Sequence, residues 1–231
     1  MKIKMKRLGA LALTAILALS ASISSFNLID STRVNTSFGK VGYFAPISVM
    51  RLVEKGNRGT IDPDLSYASE RLLDSALTLK KAEYGIDKLL TPADTVLLDK
   101  VEAEIKHLAF TSRDMHVLNG LALPPTIDSL MEASGNRYAV AMVGSGYSRT
   151  RLNFSNKQRI RVAKEIVLQG NTFGAKYPEK AVSIVHALLL DSKENKVVYY
   201  RQNRMPEREP TNANIVTTQV NSLLVGLFMN N

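Results

Sequence analysis

Cysteine is absent from this 231-residue chain. That absence removes disulfides, thiolate metal sites and thiol nucleophiles, together with the lipid-bearing cysteine of a lipoprotein. Histidine is scarce: the chain has three, His107, His116 and His186. None has a second His, Asp or Glu at a recognisable metal-ligand spacing, so no metal site is expected. Long apolar runs are lacking too, apart from Leu8 to Ala21. Its core, Leu8 to Leu19, is shorter than the roughly 20 residues that span a bilayer. Acidic residues are missing from the whole stretch between Ala133 and Lys164.

What the opening run does offer is an address. Lys2, Lys4, Lys6 and Arg7 precede it, and Ser22, Ser24 and Ser25 follow. This is the charged, apolar and small-residue order of a secretory signal peptide. We expect residues 1–24 to be a leader, with cleavage between Ser20 and Ser25, and the mature protein to be periplasmic or extracellular without a lipid anchor. About 207 residues remain, enough for one domain with an ordinary core. Four of the 30 basic residues and none of the 21 acidic ones lie in the leader, so the mature charge is +5. That is modest for a nucleic-acid binder, and no aromatic-basic recognition module is visible.

Residues 25–40 are rich in Ser, Thr and Asn and are expected to form a flexible arm. The domain proper should span 41–231. Val41, Tyr43, Ala45, Ile47 and Val49 alternate as in a half-buried strand, with Pro46 as an interruption or edge signal. A loop over Lys55 to Thr60 leads to a helix from Asp64 to Lys81, with Leu65, Ala68, Leu72, Ala76 and Leu79 on its inner face. Thr91 and Asp94 fit a capping box with Pro92 in the first turn, opening a helix whose inner stripe is Leu98, Val101, Ile105 and Leu108. His107 lies near its end, where an imidazole can meet the last carbonyls.

Gly120 to Pro125 makes a break. Thr126 to Ser134 reads as a short helix closed by Gly135, and Tyr138 to Val143 as a buried strand running towards Tyr147. Ser155 and Gln158 form another capping box, opening a helix through Ile160, Ala163, Ile166 and Val167 to Gly170. Ala181–Leu190 and Val197–Tyr200, separated by a short polar turn, predict a hairpin. A polar loop over 201–214 and an amphipathic helix on Val216, Val220, Leu223, Leu224 and Leu227 complete the chain. The order predicts an α/β domain: one mixed sheet with amphipathic helices packed on it.

Few motifs promise chemistry. Ser145 in Gly144-Ser145-Gly146 fails the nucleophile-elbow pattern, because Val143 stands where glycine is required. A phosphate-cradling loop is absent, and no cofactor site is readable. Glycines here fit a bulge or bend at a strand end. His186 interrupts an apolar strand and is expected to be a satisfied buried histidine. His116 sits in a predicted loop. Tyr199 and Tyr200 beside Arg201 can stack a ligand or serve one sheet face each. Asn57 to Asp64 holds two Asp residues without the alternating ligands of a calcium loop.

The acid-free stretch carries Arg137, Arg149, Arg151, Lys157, Arg159, Arg161 and Lys164. Lys157, Arg161 and Lys164 recur at helical spacing. Unbalanced, such a field attracts anions: an acidic protein face, anionic lipid head groups or acidic wall polymers. Balanced in space by carboxylates from elsewhere, it is only a solvated face. Arg149, Arg151, Lys157, Arg159, Arg161 and Lys164 are the candidate partner-binding residues.

The segment Ile127 to Gly146, a helix followed by a strand ending in glycine, and the hairpin Val182 to Tyr199 resemble a group of exported bacterial proteins. In that hairpin, Asp191 and Lys196-Val197-Val198 sit where the group often carries Asp followed by Gly-Lys-Val-Val. These proteins are similar to the amino-terminal domain of TolB and include the penicillin-binding-protein activator and curli-secretion lipoproteins. The chain departs from them in lacking the lipidated cysteine. The resemblance implies a non-enzymatic role through protein contacts in the envelope and carries over no catalytic residue. A secreted hydrolase is the alternative, and carboxylates clustered beside His116 or His186 in a deep pocket would favour it.

Overall fold

The computed structural model describes residues 24–29, 38–92, 94–115, 118, 120–169 and 178–228. In chain order the elements are β1 (Ser24–Ile29), β2 (Val41–Tyr43), β3 (Ile47–Val53), β4 (Thr60–Ile61), α1 (Pro63–Lys80), a 3-10 turn (Lys81–Tyr84) and β5 (Ile86–Leu89). They continue with α2 (Thr95–Asp114), α3 (Pro125–Ser134), β6 (Tyr138–Arg149), α4 (Arg151–Gln169), β7 (Ala181–Asp191), β8 (Lys196–Pro206) and α5 (Ala213–Phe228). The eight strands form one mixed sheet in the order β1-β8-β7-β6-β2-β5, with β3 also on β6 and β4 on β3.

Pro46 divides the alternating run, as its missing N–H requires. On either side of it β2 and β3 both lie parallel to β6, β2 along its first residues and β3 from Val143 onward. The long strands β6, β7 and β8 are antiparallel to one another and make the centre of the sheet. Their two faces bury different sets. Ala139, Ala141, Val143, Leu188 and Leu190 meet α2 and α3 through Ile105, Leu108, Ile127 and Met131. Val140, Met142, Val185, Ala187 and Leu189 meet α1 and α5 through Leu73, Leu77, Val220 and Leu224. The result is three layers, helices on both sides of a sheet.

The α5 stripe is buried at all five expected positions, and Gly135 closes α3 in the left-handed conformation at φ 74°. Other elements depart from expectation for identifiable reasons. In α1 the buried residues are Ser69, Leu73, Ala76 and Leu77, while Leu79 faces solvent. Asp94 is itself the N-cap of α2, its carboxylate accepting from the Val96 N–H at 3.0 Å, so Thr91 and Pro92 lie before the helix. Likewise α4 opens four residues before Ser155, with the Thr150 hydroxyl accepting from the Asn153 N–H at 3.3 Å.

Strand β8 runs to Pro206, through residues expected to be a loop, because β7 and β1 pair with it on both sides. Strand β5 was not foreseen either: Ile86 alone of its four residues is buried, and Asp87 and Lys88 break any apolar alternation. Strand β1, Ser24–Ile29, takes in the last residue of the expected leader and the first five of the expected arm. The rest of the expected leader, residues 1–23, lies outside the described residues.

Candidate functional site

Alternate residues of a strand share one face, and α2 covers only part of the face it packs on. Past its end at Asp114, β3, β6, β7 and β8 leave a cavity of about 580 Å³. Val49, Val182 and Ile184 supply an apolar floor; Arg51, Ser145, Tyr147 and Arg204 stand on it; Phe110 and Arg113 of α2 form the near wall. Arg204 Nη2 donates to both carboxylate oxygens of Glu179, at 2.9 and 2.7 Å, and the Tyr147 hydroxyl donates to the same carboxylate at 3.2 Å. Arg113 is held by its neighbour Asp114, at 2.8 and 3.1 Å, with its guanidinium 5.5 Å from the centre of the Phe110 ring. Arg51 has no ion pair among the described residues.

A buried chain of hydrogen bonds runs diagonally under this cavity, from β6 across β7 to β8. His186 is fully buried and both its ring nitrogens are bonded. Nε2 lies 2.9 Å from Ser145 Oγ, and Nδ1 lies 2.8 Å from the Tyr200 hydroxyl. The Tyr200 hydroxyl donates to Gln202 Oε1 at 3.2 Å. Since Gln202 Oε1 can only accept, every proton in the chain has a direction. The Tyr200 oxygen takes the Nδ1–H, Nε2 is bare, and Ser145 donates to it.

Burial first, and the nearby Arg113 charge second, lower His186 to about 4. Burial pushes the Tyr200 hydroxyl up, against the opposing pull of Arg113. The pair has the spacing of a nucleophile and its base but not the chemistry. So low a pKa makes a poor proton acceptor near neutrality. The group on Nδ1 is a neutral phenol, and Ser145 lies mid-strand between the paired β3 and β7. No carboxylate bonds His186 among the described residues, so the arrangement that would have favoured a hydrolase is not found there. His116 lies outside the described residues. The expected satisfied histidine is what the structure shows.

The glycines around Ser145 mark no ladder bulge: β6 pairs with β7 in unbroken register to Ser148. Gly144 admits Leu73 of α1, which a Cβ would approach to 2.8 Å. Gly146 has φ 152°, and a Cβ there would lie 2.0 Å from the Val182 carbonyl oxygen. Packing and backbone approach explain them both.

The basic segment separates into three groups. Arg137, at the start of β6, forms ion pairs with the buried Asp191 at 3.1 Å and with Glu194 at 3.5 Å. Arg149, at the far end of the strand, donates to the Glu179 and Gly56 carbonyls and to Asn153 Oδ1. It ties loops together. Arg151, Lys157, Arg159, Arg161 and Lys164 all lie on α4, opposed in that helix by Glu165 alone.

Among the described residues, no other helix or strand makes more than marginal contact with α4. It is fixed at its base, where Asn153 is buried and its Nδ2 donates to the Gly56 carbonyl at 3.2 Å. Leu152, Ile160 and Val167, spaced eight and seven residues apart and so on one side, are 72, 56 and 82% exposed. Arg159 flanks that side, and Lys157 and Lys164 flank it opposite, at the angles a 3.6-residue turn dictates. Among the described residues, no helix is long and apolar enough to cross a membrane.

No protein-family model matches the chain, and no curated protein matches it either. Solved structures do align with it. They include the PelC dodecamer from Paraburkholderia phytofirmans, at 10% identity and TM-score 0.38, covering 89% of this chain and 96% of that one. The LpoB C-terminal domain from Salmonella enterica aligns at 7% identity and TM-score 0.31, covering 75% and 87%. Lipoprotein GNA1162 from Neisseria meningitidis aligns at 13% identity and TM-score 0.31, covering 84% and 99%. Likeness at this level carries no argument about activity, ligand or partner.

Proposed function

We propose that this is an exported, non-enzymatic binding or assembly protein of the bacterial cell envelope, and that α4 is the surface through which it contacts an acidic face of another envelope protein. The leader-like opening supports export. The observation that carries the rest is α4 itself: five cations, an exposed apolar side and no described element packed along it. A single helix gains little stability from propensity alone and most from burying one face. Complementary charge on a partner would supply both specificity and a fast encounter.

Anionic lipid is the competing occupant. Helices that lie in a membrane interface carry Trp, Phe and Leu on the buried side, the aromatic rings anchoring them. The exposed side of α4, Leu152, Ile160 and Val167, has no aromatic anchor, which suits a protein groove better than a bilayer.

The test compares the mature protein with a variant in which Arg151, Lys157, Arg159, Arg161 and Lys164 are serine. Both are used to capture partners from envelope extract and to bind vesicles containing anionic phospholipid. A defined acidic protein retained by the wild type and lost by the variant supports the reading. Equal capture by both proteins, or charge-dependent binding to vesicles with no protein retained, contradicts it.

A further inference from the structure

The open sheet face beyond α2 is separate from α4 and has a chemistry of its own. Its volume, about 580 Å³, lies within the range of roughly 300–1,000 Å³ that holds small molecules. Three guanidinium groups line it, those of Arg51, Arg113 and Arg204. Two are already matched, Arg204 by Glu179 and Arg113 by Asp114. Arg51 alone keeps an unmatched charge among the described residues. The surplus therefore suits one negative charge.

Ser145 adds a second requirement. Its proton is committed to His186, because the chain from Gln202 through Tyr200 leaves Nε2 bare. What Ser145 Oγ presents to the cavity is a lone pair, which calls for a donor such as a hydroxyl. Between these polar points the Val49, Val182 and Ile184 floor and the Phe110 ring offer apolar contact to a carbon skeleton.

We infer that this face binds a small monoanionic carboxylate carrying hydroxyl groups, the chemistry of a sugar acid. The carboxylate lies on Arg51, with Arg113 and Arg204 as neighbouring donors. A hydroxyl of the same molecule donates to Ser145. The buried His186–Tyr200–Gln202 chain is a positioning device that keeps the serine an acceptor.

Calorimetric titration of the mature protein separates the parts. The probes are D-gluconate, which has both features; sorbitol, which has only the hydroxyls; and acetate, which has only the carboxylate. Gluconate should bind, and the other two should be at least tenfold weaker. Arg51→Gln should weaken gluconate about tenfold, the scale of one hydrogen bond to a charged group. Ser145→Ala should weaken gluconate while leaving acetate unchanged, a split that a merely structural serine would not give. Lys40→Ser, on the exposed turn before β2, should leave all three unchanged. A tetrauronide arm distinguishes the source: tighter binding than gluconate marks a polymer residue, and weaker binding marks a free acid. Failure of gluconate to bind overturns the inference. So does sorbitol binding as well as gluconate, or an Arg51→Gln variant of wild-type affinity that is shown to be folded by circular dichroism. None of these results bears on capture of a protein by α4.

Discussion

Gly146 and His186 show how single residues decide this molecule. At Gly146 any side chain meets the Val182 backbone, which cannot rotate away. Gly146→Ala should therefore cost about 3 kcal/mol, combining an unfavourable φ with overpacking, read from urea unfolding. His186 is neutral in the fold, with a pKa lowered to about 4 from an ordinary 6.5. Between those values the unfolded chain binds the proton and the folded chain does not, so stability falls as pH falls. The contribution is complete above about pH 6.5, declines towards pH 4 and is gone below it. We expect a loss of about 3 kcal/mol from this group, seen as a steeper fall in unfolding free energy from pH 7 to 4 for the wild type than for His186→Gln. Equal slopes would contradict the assigned protonation. That His186 is satisfied was legible from an apolar strand interrupted by one histidine. Its partner Ser145, 41 residues away, was not, because only the register of β6 on β7 brings them together.

Elements were legible where burial follows a simple period. Helix α5 is one case, and Gln219 explains why it sits so firmly. Buried on the sheet side, its amide donates to the Ser183 and Asn203 carbonyls at 3.1 and 3.0 Å and accepts from the Ser183 hydroxyl at 2.7 Å. Gln219→Leu leaves those buried groups unpaired and should cost about 3 kcal/mol, measured by the shift in urea midpoint at constant slope. Helix α4 should behave oppositely. Ile160→Ser and Val167→Ser, on its exposed side, should change stability by no more than about 0.5 kcal/mol. A larger loss in the same assay would mean that the helix packs against the body. Strand β8 was hidden because Arg204 lines the open half of the sheet and Gln202 accepts from the Tyr200 hydroxyl beneath it, while Asn203 is buried and its backbone carbonyl accepts from Gln219. Polar residues serving an uncovered sheet face look, in sequence, like a loop. The α1 stripe differs from expectation for a related reason: its leucines lie on several sides, and packing against β3, β6 and α5 selects Leu73 and Leu77.

For the whole molecule the question is where charge accumulates. A run of seven cations in sequence suggests one surface, yet β6 carries Arg137 and Arg149 to opposite ends, roughly 40 Å apart at the rise of an extended strand. Each is absorbed by local partners there, and five cations remain together on α4. Sequence could mark the segment but not the division, since Asp191, Glu194 and the Glu179 backbone lie far along the chain. The central claim is that α4 contacts an acidic envelope protein. The most direct measurement places a photo-crosslinking amino acid at position 160, in the producing cells, with and without Arg159→Glu and Lys164→Glu. The account predicts one dominant crosslink to an acidic protein that disappears when the two charges are reversed. A crosslink that survives reversal, or the absence of any protein adduct, would contradict it.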